Sequence, residues 1–379
     1  MSNPTSISFF LPDLNGGGAE RAMLHLAQGL AKHGLKVDLV LAQAQGEYLK
    51  TVPPEVRLIN LNARRPIMLF KTIALHNYLK SEQPAILFSA LDILSSAIWA
   101  NLLSGSPTKV VMCVQTYLSQ QFRDKPQLVL GRLRAYLVHQ FYPWATKIVA
   151  ASKGTAEDVS RLTNIPLQEI EVIYNPVVMP ELFEKAKEPV DHPWFQAGEP
   201  PVILGVGRLV RQKDFVTLIR AFAIVRERIP CRLMILGTVS QQEPQTKIQL
   251  ESLIQELGLE REIALPGFVE NPYSYMAKAA VFALSSIYEG FGNVVAEALA
   301  TGTSVVSTDC KSGPAEILEY GKYGCLVSVG NVEALADAME TTLKNPFNSE
   351  QLRERSQKFS IKNVVNQYLE LIRILSPQL

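Results

Sequence analysis

The sequence predicts an α/β chain of two doubly wound parallel-sheet domains in tandem, and three observations lead there. Short apolar runs alternate with amphipathic segments from one end to the other, the pattern of repeated βαβ units. The alternation is interrupted at residues 184–201, a stretch rich in proline and charge and poor in periodicity, and then restarts. The length of 379 residues suits about two domains, each able to bury its own core.

In chain order, "SISFFLP" reads as a buried strand followed by "GGGAERAMLHLAQGLAKHG", where Met23, Leu26, Ala27 and Leu30 mark one helical face and Gly34 a stop. "VDLVLA", "VRLINL", "AILFSA", "KVVMCVQT" and "KIVAAS" return as strands, with helices expected over 67–81, 92–104 and 128–142. These make a first domain over 1–185, with a linker over 186–201. The second domain, 202–359, opens on "VILGVGRL" and a helix with Phe215, Leu218, Ile219 and Phe222 on one face. It continues through the strands "CRLMILG", "EIALPGFV", "VFALSS" and "SVVSTD". In the last segment, 360–379, Ile361, Val364, Val365, Tyr368, Ile372 and Leu375 form one stripe. It could cap either domain, the first included.

Composition excludes several classes. Lys+Arg of 37 against Asp+Glu of 36 leaves no overall basic field, which argues against nucleic acid as the main partner. Cys113, Cys231, Cys310 and Cys325 are scattered in or beside apolar runs with no C-x-x-C pair, the pattern of reduced thiols packed as small hydrophobes. The start has no basic n-region or long apolar h-region, and no run of 18 apolar residues occurs. The expectation is a cytoplasmic protein with at most peripheral contact at the inner face of the membrane.

Ligands of open α/β sheets bind beyond the carboxyl ends of the strands, so the loops there carry the chemistry. In "LPDLNGGGAER", Gly16, Gly17 and Gly18 let backbone amides approach a ligand at the positive end of a helix, although the spacing is not G-x-G-x-x-G. "GVGRLVRQKDF" places Arg208 and Lys213 on one loop, a pair suited to a diphosphate or else two solvated charges. "SSIYEGFGNVVAEALATG" puts Glu289 before a helix starting near Gly292 or Asn293, and Glu297 on its second turn. The amides of Phe291, Gly292, Asn293 and Val294 then favour an anion, and the two acids can accept hydroxyls on either side of it. The alternative is that both acids sit on solvated edges.

Together, the E-x7-E spacing, "GVGRLVRQKDFVTLIRAF", "GGGAERAMLHLAQGLAKHG", "VIYNPV", "ATGTSVVSTDCKSGPAEIL" and "YGCLV" resemble the retaining GT-B glycosyltransferases of family 4 over nearly the whole chain. The resemblance implies transfer of a sugar, with retention, from a nucleotide diphosphate sugar, UDP-linked, to a saccharide or lipid-linked acceptor in envelope or polysaccharide synthesis. It implies that Glu297 holds the ribose and Glu289 the donor sugar, while Phe291, Gly292, Asn293 and Val294 offer amides. Arg208, Lys213 and the Gly16–Gly18 loop then meet the diphosphate, so no cofactor and no divalent metal are required. Many relatives carry a histidine near the reacting carbon; Gln115 and Thr116 stand there in this chain as the acceptor-side candidates. Rival readings are a nucleotide-sugar epimerase or hydrolase on the same architecture and a non-catalytic sugar-nucleotide-binding partner.

Cations interleaved with apolar residues mark two further segments: Arg64, Arg65 and Lys71 beside Ile67, Leu69 and Phe70, and Arg123, Lys125, Arg132 and Arg134 among Leu and Tyr. They suit an anionic membrane surface, or else ordinary amphipathic helices facing the first core. His25, His33, His76, His139 and His192 show no ligand spacing and are expected to be structural.

Overall fold

The computed structural model describes residues 6–15, 17–63, 68–124, 128–240 and 243–379. The chain forms two compact units, 1–177 together with 361–379, and 178–360.

In the first unit the described strands β1 (Ser6–Leu11), β2 (Lys36–Leu41), β3 (Val56–Asn60), β4 (Ile86–Ala90), β5 (Lys109–Val114), β6 (Lys147–Ala150) and β7 (Ile170–Val172) form one sheet in the order β3-β2-β1-β4-β5-β6-β7. Every pairing is parallel, with β1 between β2 and β4. The inner strands are apolar on both faces because helices cover both. Phe9, Leu39 and Phe88 point into one core with Met23, Leu26 and Leu30, while Phe10, Val40 and Leu87 point into the other with Leu75 and Leu79.

The C-terminal helix Ile361–Leu375 belongs to this unit: Val364, Val365, Tyr368 and Ile372 are buried in the first of these cores. It lies so close to the helix Gly18–Lys32 that a Cβ on Gly29 would be 2.5 Å from Val365 Cγ2. A glycine inside a helix costs about 1 kcal/mol relative to alanine, and here it makes room for a neighbour.

In the second unit β8 (Val202–Val206), β9 (Arg232–Leu236), β10 (Ile263–Gly267), β11 (Val281–Leu284), β12 (Val305–Thr308) and β13 (Cys325–Val327) form a parallel sheet ordered β10-β9-β8-β11-β12-β13. The order reverses between β8 and β11, the switch point where an open sheet binds ligands. β10 is an edge strand, which is why it tolerates Pro266 and a register shift between Ala264 and Gly267.

Three expectations are corrected. The first unit ends at Val177 rather than at 185, and the helix Pro180–Lys187 packs in the second unit, against the helices Pro272–Lys278 and Asn293–Thr301. The segment expected as a linker is part of the second unit's surface: Arg232 stacks on Trp194 at 5.0 Å and Phe195 meets Tyr275 edge-on at 5.6 Å. Its aromatic residues supply packing that its proline and charge content concealed. The helix expected over 92–104 starts at Ser96, because the buried carboxylate of Asp92 accepts the Ala97 amide at 2.8 Å and Ser95 is left-handed at φ 57°.

Candidate active site

The loop after β8 is fixed first. Gly207 N donates to Leu236 O at 2.9 Å and Leu209 N to Thr238 O at 2.8 Å, tying this loop to the end of β9. A Cβ on Gly237 would lie 1.8 Å from Gly207 O, so only glycine allows that approach. A 3-10 turn, Arg211–Lys213, follows. Asp214 then takes a left-handed conformation at φ 46° and caps the helix Phe215–Arg228, its carboxylate accepting the Thr217 amide at 3.3 Å and the Thr217 hydroxyl at 2.7 Å. Lys213 is thereby held at the helix entrance, its stem passing over Gly207, where a Cβ would come within 3.1 Å of Lys213 Cε.

The loop after β11 meets it. Lys213 Nζ donates to Glu289 Oε1 at 2.5 Å, and the Ser286 hydroxyl donates to the same oxygen at 2.7 Å. The Ser285 hydroxyl donates to Lys213 O at 2.7 Å. Gln212 clasps the loop through its main chain and side chain together, accepting Ile287 N and donating to Tyr288 O, both at 2.8 Å. Behind Glu289, the Ser312 hydroxyl donates to Glu289 O at 2.6 Å, and Gly313, at φ 88°, passes where a Cβ would be 1.9 Å from Phe291 O.

The helix Asn293–Thr301 then starts at Gly292, left-handed at φ 90°, and stops at Gly302, left-handed at φ 84°. Glu289 is 7% exposed and Glu297 1%, so the solvated-edge alternative is excluded for both. A buried carboxylate must be partnered; Glu289 has Lys213 and Ser286, and Glu297 is also engaged. The ring of Phe291 is core, packed edge-on against Phe359 at 5.3 Å, so this residue can offer a ligand its backbone only. Arg208 is exposed and its guanidinium has no side-chain partner among the described residues. The loops at this end of the second sheet thus carry a largely buried ion pair, an exposed cation and a helix N-terminus.

The remaining candidates lie in the first unit. Gly17 caps the helix Gly18–Lys32 in extended conformation, and the Glu20 carboxylate folds back to 2.1 Å from where a Cβ on Gly17 would stand. The protein's own anion therefore sits at that positive end. Gly16 lies outside the described residues, as do Arg64, Arg65, Ile67 and Lys125. Thr116 follows β5 half-buried, and the Gln115 side-chain oxygen is buried with no partner. Asp92 Oδ1 and the hydroxyls of Ser95 and Ser96, just after the neighbouring β4, are also buried and unpartnered. Leaving such groups unsatisfied costs about 1–3 kcal/mol each.

Sequence reasoning missed Gln212, Ser285, Ser286 and Ser312. The tandem serines closing the apolar run "VFAL" were the available signal for two of them. Four of the histidines make structural contacts: His25, His33 and His139 each bond a backbone carbonyl through Nδ1, and His192 accepts the Trp194 amide, whereas His76 Nδ1 is buried with no partner. Among the described residues no cluster of three His, Cys, Asp or Glu could hold a metal ion.

Residues 187–359 match the family model described as glycosyl transferases group 1, and residues 16–179 match that of Glycosyltransferase Family 4. The chain is 31% identical over 362 residues to the N-acetylgalactosamine-N,N'-diacetylbacillosaminyl-diphospho-undecaprenol 4-alpha-N-acetylgalactosaminyltransferase of Campylobacter jejuni, covering 89% of this chain and 90% of the relative. It is 27% identical over 368 residues to the lipopolysaccharide core biosynthesis glycosyltransferase LpsE of Rhizobium meliloti, with 94% and 96% covered. Among solved structures, Anabaena HepE in complex with UDP and glucose matches with a TM-score of 0.78 at 20% identity, over 98% of this chain and 100% of that one.

Proposed function

The chain belongs to the glycosyl transferases group 1 family and is a GT-B glycosyltransferase, and from that premise we propose that it transfers a sugar, with retention, from a UDP-linked donor to a saccharide or lipid-linked acceptor in envelope glycan synthesis. The observation that carries this reading is the largely buried Lys213–Glu289 pair, with Arg208 exposed on the same loop as Lys213, at the switch point of the second sheet. The relatives named for a diphospho-undecaprenol acceptor and for lipopolysaccharide core synthesis support the acceptor class, and the HepE complex supports UDP.

Transfer breaks the bond from the anomeric carbon to the diphosphate and forms one to an acceptor hydroxyl, whose proton leaves with the departing diphosphate. Negative charge develops on that diphosphate. Arg208, Lys213 and the amides of Gly292, Asn293 and Val294 are assigned to meet it. Glu289 accepts a hydroxyl of the transferred sugar, and Glu297 accepts the ribose hydroxyls. Gln115 and Thr116 are assigned to the acceptor side. With cations and amides assigned to the leaving group, no divalent metal is needed.

The test separates the two acids. Glu297→Ala should weaken binding of both UDP and the donor. Glu289→Ala should leave UDP affinity nearly intact and lower turnover by about 10² to 10³, the scale of one well-aimed polar contact to a transition state. UDP titration by calorimetry and steady-state kinetics, with the donor chosen from a hydrolysis screen of UDP, GDP and ADP sugars, measure both. Full turnover in both variants would move the site elsewhere, and complete, reversible loss of wild-type activity on chelation would overturn the charge assignment.

The surface of the first unit supports peripheral membrane contact. Leu69, Phe70 and Ile73 are exposed on the helix Met68–Glu82, which buries Leu75 and Leu79. The neighbouring helix Ser96–Ser104 exposes Leu102 and Leu103, and the helix Leu128–Phe141 exposes Leu133 and Tyr136 beside Arg132. Trp99, Phe141 and Trp144 cluster edge-on at 4.7–5.6 Å, with Trp144 exposed. Exposed apolar and aromatic residues among cations fit a bilayer interface.

A further inference from the structure

We propose that Ser286 is a positioning residue for the transfer site, fixing which oxygen of Glu289 faces the donor sugar; the inference rests on reading Glu289 as the sugar-side carboxylate. The hydroxyl of Ser286 and the ammonium of Lys213 both donate to Oε1 of Glu289, at 2.7 and 2.5 Å. Oε2 is left without a partner among the described residues, with its lone pairs available to a ligand.

Ser286 is itself immobilised. It is fully buried, lies just beyond β11, and its carbonyl accepts the Thr308 hydroxyl at 2.7 Å. The residue before it, Ser285, holds Lys213 through that residue's carbonyl. Adjacent side chains at one strand end therefore index both members of the ion pair, the cation by its backbone and the anion by its carboxylate.

The two donors on Oε1 differ in what happens when substrate arrives. Lys213 is a flexible ammonium that a diphosphate would attract away from Glu289. Ser286 has no such alternative and remains on Oε1. A glutamate side chain has three rotatable bonds, and a retained hydrogen bond is what keeps its carboxylate aimed once the lysine turns to phosphate.

A double-mutant cycle tests this with Ser286→Ala, Glu289→Ala and the double variant. The readouts are kcat and KM for the most active UDP-sugar of the screen, calorimetric Kd for UDP, and Tm. Ser286→Ala should lower kcat roughly 10- to 100-fold while the Kd for UDP stays within about twofold. In the Glu289→Ala background the same change should alter kcat by no more than about twofold, because Ser286 acts through Glu289. Ser286→Cys, which keeps the shape but weakens the donor, should fall between wild type and Ser286→Ala, and it carries the comparison if the alanine variant does not fold. Unchanged kcat in the serine variants while Glu289→Ala loses turnover would overturn the positioning role alone. Multiplicative losses in the double variant, or weaker UDP binding in Ser286→Ala, would reduce Ser286 to a general structural residue. Retained turnover in Glu289→Ala would instead remove the underlying assignment of Glu289.

Discussion

Burial governs the chemistry of single residues well beyond the two glutamates. Tyr78, Tyr142 and Tyr368 are buried, and burial pushes each phenol above its ordinary value near 10; Asp38 adds to the rise at Tyr78, and Asp92 at Tyr142. The folded state therefore keeps these protons at pH values where the unfolded chain has lost them. Their contribution to stability is complete below about pH 10 and is lost as the pH rises further. Tyrosinate absorbance on alkaline titration should rise in two stages, with these phenols appearing only as the near-UV dichroism collapses; smooth ionisation of all 12 tyrosines with the fold intact would contradict this. Burial also pushes the thiols of Cys231 and Cys113 up, to about 11 and about 12, consistent with cysteines that pack as small hydrophobes. Much of the candidate site was legible at this scale, since Arg208, Lys213 and Glu289 announce themselves by charge in glycine-bearing loops and Glu297 by charge in the apolar helix that follows. What lay hidden was the pairing of Lys213 with Glu289 across 76 residues of sequence, together with the serines that orient them. No local pattern encodes a contact between two loops.

Elements were legible wherever an apolar period was strong, as in the helix Gly18–Lys32 and the inner strands. They were less so where a single side chain sets a boundary, as Asp92 does for the helix that begins at Ser96. Packing between elements was hidden too, and Gly29 is the sharpest instance. Its replacement by alanine sets two effects against each other: helix propensity favours Gly29→Ala by about 1 kcal/mol, whereas overpacking a tight contact typically costs about 1–3 kcal/mol. The added methyl would stand 2.5 Å from Val365 Cγ2 and 3.0 Å from Ile361 Cδ1, so overlap should win and the net effect should be destabilising. Denaturant unfolding of the variant should show a lower midpoint. A raised midpoint would mean that the C-terminal helix can move aside at no cost.

At the scale of the whole molecule the formal net charge is only +1, so the proposed membrane attraction would have to come from local cations rather than a global field. Each Lys or Arg near an anionic surface contributes about 1 kcal/mol. Reversing Arg64, Arg65, Arg132 and Arg134 together should abolish cosedimentation with phosphatidylserine vesicles at moderate salt; binding that survives the reversal, or is absent in the wild type, would dispose of the idea. No helix among the described residues is long and apolar enough to cross a membrane. The first unit also takes its material from both ends of the chain, residues 1–177 and 361–379, with the whole second unit between them. Translation delivers those pieces in order. The helix that buries Val364, Val365, Tyr368 and Ile372 is made only after every residue of the second unit, so the first core cannot be completed until the whole second unit has been synthesised.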